Sequence, residues 1–238
     1  MKNETNLVYI NAVANCLLDK DIEETQVSFI ASHPFTNTWT TCLMDDKANS
    51  YELVDLHNQE HAAKWREYVR KEIGKTNLLG VFTMLNKPYR LYFLKLIADS
   101  LNNEDLGKIL GHFWQTTEVI SLDNSITGKD IISWFNRADK KTLMTDKERK
   151  IFDSLPEQIT VYRGVTDYNK RKKKAFSWTI DKKVALWFAN RFNTGTGEVW
   201  TMIVPKERVL CVFEGNEREI VINLYGNKDI CKMIVEKV

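Results

Sequence analysis

Two glutamates at the start of an apolar segment have the residue type and spacing for chemistry. The segment EREIVI, residues 217–222, is typical of a strand. Because successive side chains of a strand alternate between its faces, Glu217 and Glu219 are predicted to project from one face, about 7 Å apart. Two like charges placed this way repel one another and gain no burial. A solvated end of an edge strand has the same letters, so the functional interpretation depends on the rest of the chain.

A second strand-like segment, ITVYRGV, carries Arg163 near its end, followed at once by Gly164. Arginine offers a planar, permanently charged fork that suits a pyrophosphate, and glycine lets a backbone approach a ligand closely. The alternative interpretation is a strand-end arginine in an ordinary turn.

A third segment, FSWT, places the hydroxyls of Ser177 and Thr179 on one face of a strand, with Trp178 between them. It leads into Asp181, a good N-cap, and into a predicted helix over residues 181–191 that carries Phe188. On its own, this pattern also fits an ordinary strand followed by a helix.

Composition and charge narrow the class of protein. The 238 residues are 43% hydrophobic and 28% charged, which is ordinary for a globular protein with a sizeable core. The net charge is +2, with 34 basic and 32 acidic residues, so nothing global favours nucleic acid or a membrane. No apolar run reaches about 18 residues, and the first residues lack a signal-peptide pattern. We expect a soluble cytoplasmic protein of a bacterial or infected host cell, without a membrane partner and with nucleic acid at most an indirect one.

Cysteines and histidines give weaker signals. The four cysteines lack C-x-x-C spacing and predict reduced, mostly buried thiols. The sequence HNQEH matches an H-x-x-E-H pattern, in which His57 and His61 would share a helical face and bind zinc, with Glu60 as base. That face continues into Trp65 and Val69, and no third ligand is evident. We therefore expect packing there and no metal site.

The elements that position the candidate residues change along the chain. Residues 1–75 combine short apolar segments with a helix on which His61, Trp65, Val69 and Ile73 recur every four residues. The following residues are predicted to be a helical block that ends with short helices over 130–137 and 145–152. The second of these begins with a capping pattern, Thr145-Asp146-Lys147-Glu148. Strand-like segments then dominate, at residues 159–165, 176–179, 198–204, 209–213, 219–224 and 229–238.

In the order Arg, Ser-x-Thr, Glu-x-Glu, the three segments resemble the R-S-E class of mono-ADP-ribosyltransferases, the clan that includes cholera-toxin-like and clostridial binary-toxin enzymes. The wording VYRGV, FSWT, ALWFANRF and EREIVI is most similar to small bacterial and phage-encoded members. The resemblance covers residues 145–238 and leaves residues 1–75 unexplained. The usual second motif is Ser-Thr-Ser, so only Ser177 matches it strictly.

The resemblance implies an α+β fold. Residues 76–238 would form an ADP-ribosyltransferase-like core of two small mixed β-sheets with a helical layer. Residues 1–75 would form an N-terminal α/β extension.

The resemblance also implies roles in breaking the bond between nicotinamide and ribose in NAD, through an oxocarbenium-like state. Glu219 would be the catalytic carboxylate that stabilises this positive charge, and Ser177 would brace it by a hydrogen bond. Arg163 would hold the phosphate and ribose region, and the Gly164 backbone would meet the nicotinamide carboxamide. Glu217 occupies the position that is Glu in arginine-modifying members, and residues 209–216 would form the turn that meets the target.

Four neighbours complete the expected NAD site: Tyr162, Trp178, Thr179 and Phe188. Either Trp178 or Phe188 would stack on nicotinamide, or both would belong to the core. The basic run KRKKK, residues 170–174, fits a solvated loop or a surface that attracts an acidic partner.

The implied function is NAD-dependent mono-ADP-ribosylation of an intracellular bacterial protein on arginine, with NAD as the substrate. Two alternatives remain open at the level of sequence. One is a toxin that hydrolyses NAD, and the other is a non-enzymatic protein that inhibits a partner through residues 1–75 and retains a vestigial NAD site.

Overall fold

The computed structural model describes residues 4–45, 49–116, 125–170, 174–192, 196–226 and 233–238. The chain divides into two compact units, Met1–Thr127 (unit 1) and Gly128–Val238 (unit 2). The boundary predicted between residues 75 and 76 lies inside unit 1. The helices that follow this point therefore group with the N-terminal residues.

Unit 1 combines helices with short antiparallel strands. Its helices are α1 (Leu7–Leu18), α2 (Gln59–Lys75), α3 (Leu78–Met84), α4 (Arg90–Ile97) and α5 (Asn103–Phe113). Its strands are β1 (Glu23–Glu24), β2 (Ile30–His33), β3 (Thr36–Thr38), β4 (Thr40–Asp45) and β5 (Ser50–Asp55). The first three strands form one sheet in the order β1-β2-β3, and β4 pairs with β5 as a two-stranded ribbon.

Asparagines set the starts of the helices in unit 1. The side chains of Asn6, Asn58, Asn77 and Asn102 each accept a hydrogen bond from a backbone N–H of the first turn of α1, α2, α3 and α5. The predicted face of α2 is confirmed, because its Trp65, Val69 and Ile73 are buried. These caps and apolar faces explain why a helical block forms here.

Unit 2 consists of helices followed by one sheet. Its helices are α6 (Gly128–Arg137), α7 (Lys140–Leu143), α8 (Asp146–Ser154) and α9 (Lys182–Asn190). Its strands are β6 (Gln158–Val165), β7 (Ser177–Thr179), β8 (Glu198–Pro205), β9 (Val209–Phe213), β10 (Glu219–Ile222) and β11 (Ile234–Lys237). The predicted capping box before α8 is confirmed, since Thr145 and Glu148 bond each other's backbone N–H groups.

The six strands of unit 2 lie in the order β11-β8-β6-β7-β10-β9, and every described pair is antiparallel. The protein is thus α+β, as predicted, but the predicted mixed pairing is wrong for the described strands. In place of the two predicted sheets, unit 2 has one six-stranded sheet, whose halves β11-β8-β6 and β7-β10-β9 meet between β6 and β7. β6 pairs with β8 along its whole length, whereas it pairs with β7 only at Tyr162↔Thr179.

The core of unit 2 lies on one face of this sheet and is closed by α8. Among its fully buried side chains are Val161, Val165, Val204, Ile220 and Ile222. Ile151, Phe152 and Leu155 of α8 and the residue after it pack against this cluster. Helix α9 covers the other face of β6.

The described residues also bear on two further features, the burial of the cysteines and the length of apolar helices. Of the described cysteines, Cys16 and Cys42 are exposed and only Cys211 is buried, so the prediction of mostly buried thiols is wrong. In the described part of the chain, every helix falls short of the length and apolarity that crossing a bilayer requires.

Candidate functional site

The three sequence motifs meet where the two halves of the sheet of unit 2 join. β6 carries Arg163, β7 begins at Ser177, and β10 begins at Glu219. The register places Thr179 opposite both Tyr162 and Glu219. Segments that are far apart in sequence are therefore adjacent at one point of the sheet.

Arg163 is a partly desolvated cation at this junction. Its Nη1 donates a hydrogen bond to the backbone oxygen of Ser177. Its Nε is buried and has no hydrogen-bond partner among the described residues. Burial lowers the pKa of the guanidinium to about 10, and the negative charge of Glu219 opposes that change. Arg163 therefore remains charged at neutral pH and keeps one buried donor for another group.

Glu219 is the one acidic residue that is buried in the described part of the chain, with 4% of its surface exposed. Its negative charge acts on two neighbouring groups. It favours the charged form of Arg163, and, together with burial, it raises the pKa of the Cys211 thiol. A buried carboxylate is costly unless an opposite charge or hydrogen bonds compensate it. Its position beside Arg163 accounts for part of that compensation.

Ser177 and Thr179 hold the backbone of the site. Ser177 contributes its carbonyl oxygen to Arg163, and its hydrogen bond to Glu219 stays a prediction. The buried Thr179 hydroxyl donates to Arg218 O at 3.3 Å and accepts from Asp181 N at 3.0 Å. Thr179 therefore fixes the residue that directly precedes Glu219. The contact of Thr179 with NAD stays a prediction.

Glu217 lies outside the strand, which corrects the first sequence expectation. Arg218 has φ of 44°, in the left-handed region, and β10 begins only at Glu219. Side chains alternate only along an extended backbone, so Glu217 and Glu219 do not form the predicted same-face pair. Glu217 is exposed on the turn of residues 214–218. The predicted target-facing segment 209–216 is likewise corrected, because its first five residues are the fully buried strand β9.

This turn, residues 214–218, is anchored at both ends. Glu148 accepts a hydrogen bond from Glu214 N at 2.9 Å, through the carboxylate oxygen that the α8 capping box does not use. At the other end, Arg218 Nη1 lies 3.4 Å from Asp181 Oδ2, in the N-cap of α9. The sequence predicted Glu148 and Asp181 as capping residues of α8 and α9, but it did not predict that they also bind the turn of residues 214–218. No local pattern could have shown it, because Glu148 and Glu214 are 66 positions apart.

Gly164 is needed for the packing of α9 on β6. A Cβ atom at this position would lie 2.2 Å from Ala185 O and 2.6 Å from the Cβ of Phe188. Tyr162 packs in the same layer, against Ala185 and Ala189. The close approach that a glycine permits is therefore made by a helix in this structure, and Tyr162 belongs to that packing.

The two candidate stacking residues differ in exposure. Trp178 is 2% exposed within the core, and its indole N–H donates to Ala175 O at 2.9 Å, so it offers no ring face to a ligand. Phe188 is partly buried and meets the exposed Trp187 ring edge to face, with centroids 4.9 Å apart. Of the two, Phe188 alone retains some exposed surface.

The H-x-x-E-H pattern does not assemble metal ligands. His57 Nδ1 lies 2.9 Å from Asp55 Oδ1, and His61 Nδ1 accepts from Asp55 N at 3.2 Å. The residues that the structure describes contain no group of three His, Cys, Asp or Glu side chains arranged to hold a metal ion. Most of the basic run 170–174 lies outside those residues, since 171–173 are not described.

Comparisons with protein families, with curated proteins and with solved structures find no match for this chain. Its function is therefore argued from the site itself.

Proposed function

We propose that this chain is an NAD-dependent mono-ADP-ribosyltransferase that modifies an arginine of a protein inside a bacterial cell. The observation that carries the proposal is the junction of β6, β7 and β10, which combines a buried carboxylate, Glu219, with a desolvated cation, Arg163. Structural stability alone gives little reason for such a pair, because apolar residues of similar volume often serve as well. Perturbed charges in this combination cluster at functional sites.

The residues at the junction suit NAD. Arg163 has a buried Nε that makes no hydrogen bond with any described residue, which favours an anionic ligand such as a pyrophosphate. Its planar fork suits phosphate oxygens better than a point charge would. When bound, NAD would supply an ADP-ribosyl group through cleavage of its bond to nicotinamide.

The chain's own residues would divide the work. Glu219 would hold a negative charge where water is largely excluded, so that it stabilises positive charge on the ribose more strongly than an exposed carboxylate could. Arg163 would bind and orient the phosphates. Thr179 would keep Glu219 in place through Arg218 O. Glu217, exposed on its anchored turn, would orient the acceptor guanidinium or take its proton.

One incubation tests this function against its two alternatives. The full-length protein is mixed with NAD labelled on the adenylate and with a bacterial lysate. We expect label on protein, and we expect the label to disappear with Glu219→Gln. Free ADP-ribose without labelled protein would favour an NAD hydrolase. The absence of both labelled protein and free ADP-ribose would favour a binding protein.

Binding of NAD can be checked separately. We expect NAD to raise the Tm of the full-length protein, because a ligand of the folded state stabilises it. Arg163→Ala should reduce that rise by removing the charged fork. An unchanged Tm at saturating NAD, with NAD still intact in the sample, would count against the site.

A further inference from the structure

An open cavity of about 440 Å³ lies in unit 1 and takes no part in the proposed chemistry. It is lined by Ser28, Phe29, Thr38, Trp39, Thr40, Asp55 and His57. The wall therefore combines aromatic rings, hydroxyls and one carboxylate. Small-ligand and side-chain pockets have this composition, with a few polar groups placed among apolar ones.

A fixed Asp–His pair forms the polar side of this cavity. Asp55 Oδ1 accepts from His57 N at 3.0 Å and lies 2.9 Å from His57 Nδ1, while the imidazole stacks on Trp39 with centroids 4.1 Å apart. The His57 backbone N–H and then its side chain lower the pKa of Asp55. In the neutral tautomer that donates its Nδ1–H to Asp55, His57 has Nε2 as an acceptor. Asp55 Oδ2 is a second acceptor, with no hydrogen bond among the described residues.

The apolar side is formed by Phe29, which is 69% exposed. Its loop is ordered by Thr25, whose hydroxyl lies 3.0 Å from Val27 O and 2.9 Å from Ile30 O. A held, exposed aromatic ring attracts a cation over its face. The cavity thus offers two hydrogen-bond acceptors and an aromatic wall, which together favour a planar cation with several donors.

The sequence segment that carries the lining residues of the cavity is strongly negative. Residues 21–60 contain eight Asp and Glu against a single Lys, a formal charge of −7 within a chain of net charge +2. The members of this acidic set that have a described environment are all exposed: Asp21, Glu23, Glu24, Glu52, Asp55 and Glu60. Only Glu52 among them forms an ion pair with a lysine or arginine in the described chain, with Lys64. Exposed carboxylates in such excess attract basic partners and repel nucleic acid.

An exposed apolar strip adjoins the cavity along the ribbon of β4 and β5. Thr40 and Asp55 are cross-strand partners at its base, followed on the same face by Cys42 with Leu53 and Met44 with Tyr51. Leu53 and Tyr51 are 68% and 72% exposed. The cavity therefore continues into an exposed apolar strip along the ribbon, which a protein partner can cover and a small molecule in the cavity cannot.

We propose that this surface docks a basic surface of a partner protein and that the cavity receives an arginine side chain of that partner. Arginine is favoured over lysine because its planar fork can donate to His57 Nε2 and Asp55 Oδ2 together and stack on Phe29. The inference rests on the proposed function only in naming this partner as the protein to be ADP-ribosylated. Binding itself is independent of NAD.

The test uses the full-length protein and a fluorescent peptide of alternating glycine and arginine, in the absence of NAD. A matched peptide carries citrulline, which keeps the shape and lacks the charge. We expect the arginine peptide to bind at least about fivefold more tightly, and salt to weaken it. In NMR spectra, the Trp39 indole N–H, assigned with Trp39→Phe, should shift with the arginine peptide.

Variants locate the binding. Asp55→Asn and Phe29→Ala should each weaken binding of the arginine peptide about fivefold or more, the scale of an important interface contact. Glu67→Gln and Val8→Ala, which alter an exposed charge and an exposed apolar residue elsewhere in unit 1, should leave it unchanged. Equal affinity for both peptides, or equal loss in all four variants, would overturn the proposal.

The rise in Tm with NAD, measured on the same variants, separates the two proposals. Peptide binding without any effect of NAD would leave this inference standing and count against the transferase. A rise in Tm with NAD, together with equal affinity for the two peptides, would support the NAD site and overturn this inference.

Discussion

At the scale of residues, the site depends on a pair of opposite charges withdrawn from water. Arg163 loses basicity through burial and regains part of it from Glu219, so each charge supports the other. Replacement of one member leaves the other uncompensated. Variants that keep shape and remove charge are therefore more informative than truncations to alanine.

Glu219→Gln should lower both transfer and NAD hydrolysis by about 100-fold or more, the scale seen when one electrostatic stabiliser is lost. Glutamine nearly preserves the shape of the side chain but leaves the charge of Arg163 uncompensated, so the fold of the variant is checked beside its activity. Initial rates with labelled NAD measure both activities, and circular dichroism checks the fold. A well-folded variant with more than a tenth of the wild-type rates would show that Glu219 is not the catalytic carboxylate.

Glu217→Gln should behave differently, because Glu217 is exposed on a turn and lies outside the buried pair. Transfer to an arginine acceptor should fall by about 100-fold, while NAD hydrolysis should stay within about threefold of wild type, since water needs less positioning than a guanidinium. The ratio of protein-bound label to free ADP-ribose is the measurement. Equal loss of both activities would indicate that Glu217 supports the NAD site, and unchanged transfer would indicate an acceptor other than arginine.

His33 predicts a pH dependence that is independent of function. It is fully buried, its Nδ1 accepts from Phe35 N at 3.1 Å, and its Nε2 lies 3.2 Å from Leu18 O. Burial lowers its pKa from 6.5 to about 4. Between these values the unfolded chain binds a proton that the folded chain does not, so the free energy of unfolding should fall as pH drops, by about 3 kcal/mol in all.

Urea unfolding of wild type and His33→Gln at intervals from pH 7 to pH 4 isolates this contribution. The difference in free energy of unfolding between the two proteins should change across this window and stay constant above about pH 7. A difference that does not vary with pH would show that His33 is not held neutral by the fold.

At the scale of elements, helix α9 and strand β6 depend on the absence of a side chain at one position. A Cβ at residue 164 would approach the backbone of α9 to 2.2 Å, and backbone atoms cannot turn aside as a side chain can. Gly164→Ala should destabilise the protein by about 3 kcal/mol, the upper part of the usual range for overpacking. Denaturant unfolding measures this free energy.

Gly74 provides the matched control. It is exposed near the end of α2, and a Cβ there would meet no atom within 4 Å. Gly74→Ala should therefore stabilise by up to about 1 kcal/mol, because alanine favours the helix. If the two substitutions had the same effect, the close packing of α9 on Gly164 would be refuted.

Much of the arrangement of elements was predictable, and the exceptions have local causes. Segments such as ITVYRGV and VLCVF alternate or run apolar long enough to specify strands, and Thr145 marked the start of α8. A turn was predicted here, but its extension to Arg218 was not, because the left-handed φ of Arg218 has no signal in the local sequence. The role of Thr179 was also hidden, since its hydroxyl bonds a residue 39 positions away.

At the scale of the whole molecule, the net charge is close to zero although charge is distributed unevenly along the chain. A net charge of +2 predicts neither an acidic nor a basic partner, yet residues 21–60 alone carry −7. Every motif that resembles an ADP-ribosyltransferase lies in unit 2, while this acidic segment lies in unit 1. We infer a division of labour in which unit 2 carries the NAD chemistry and unit 1 selects the target.

The two units also predict where the chain can be divided. Helices α3, α4 and α5 belong to unit 1, and α4 packs against α1. A fragment of residues 76–238 would keep these helices without α1 and α2 and would expose side chains such as Phe93, Leu94 and Ile97, which are buried in the whole chain. Exposed apolar patches of this kind cause aggregation. A fragment of residues 128–238 retains the whole of unit 2.

We therefore expect the fragment 128–238 to be monomeric by size-exclusion chromatography, with one cooperative thermal transition, and the fragment 76–238 to aggregate. Because Arg163, Ser177 and Glu219 all lie after residue 128, the shorter fragment should hydrolyse NAD, and Glu219→Gln in that fragment is the control for contaminating activity. It should label no protein in a lysate, since it lacks the surface that we assign to target binding. A monomeric 76–238 fragment beside an aggregated 128–238 fragment would return the boundary to residue 75. Full protein labelling by 128–238 would place target selection in unit 2.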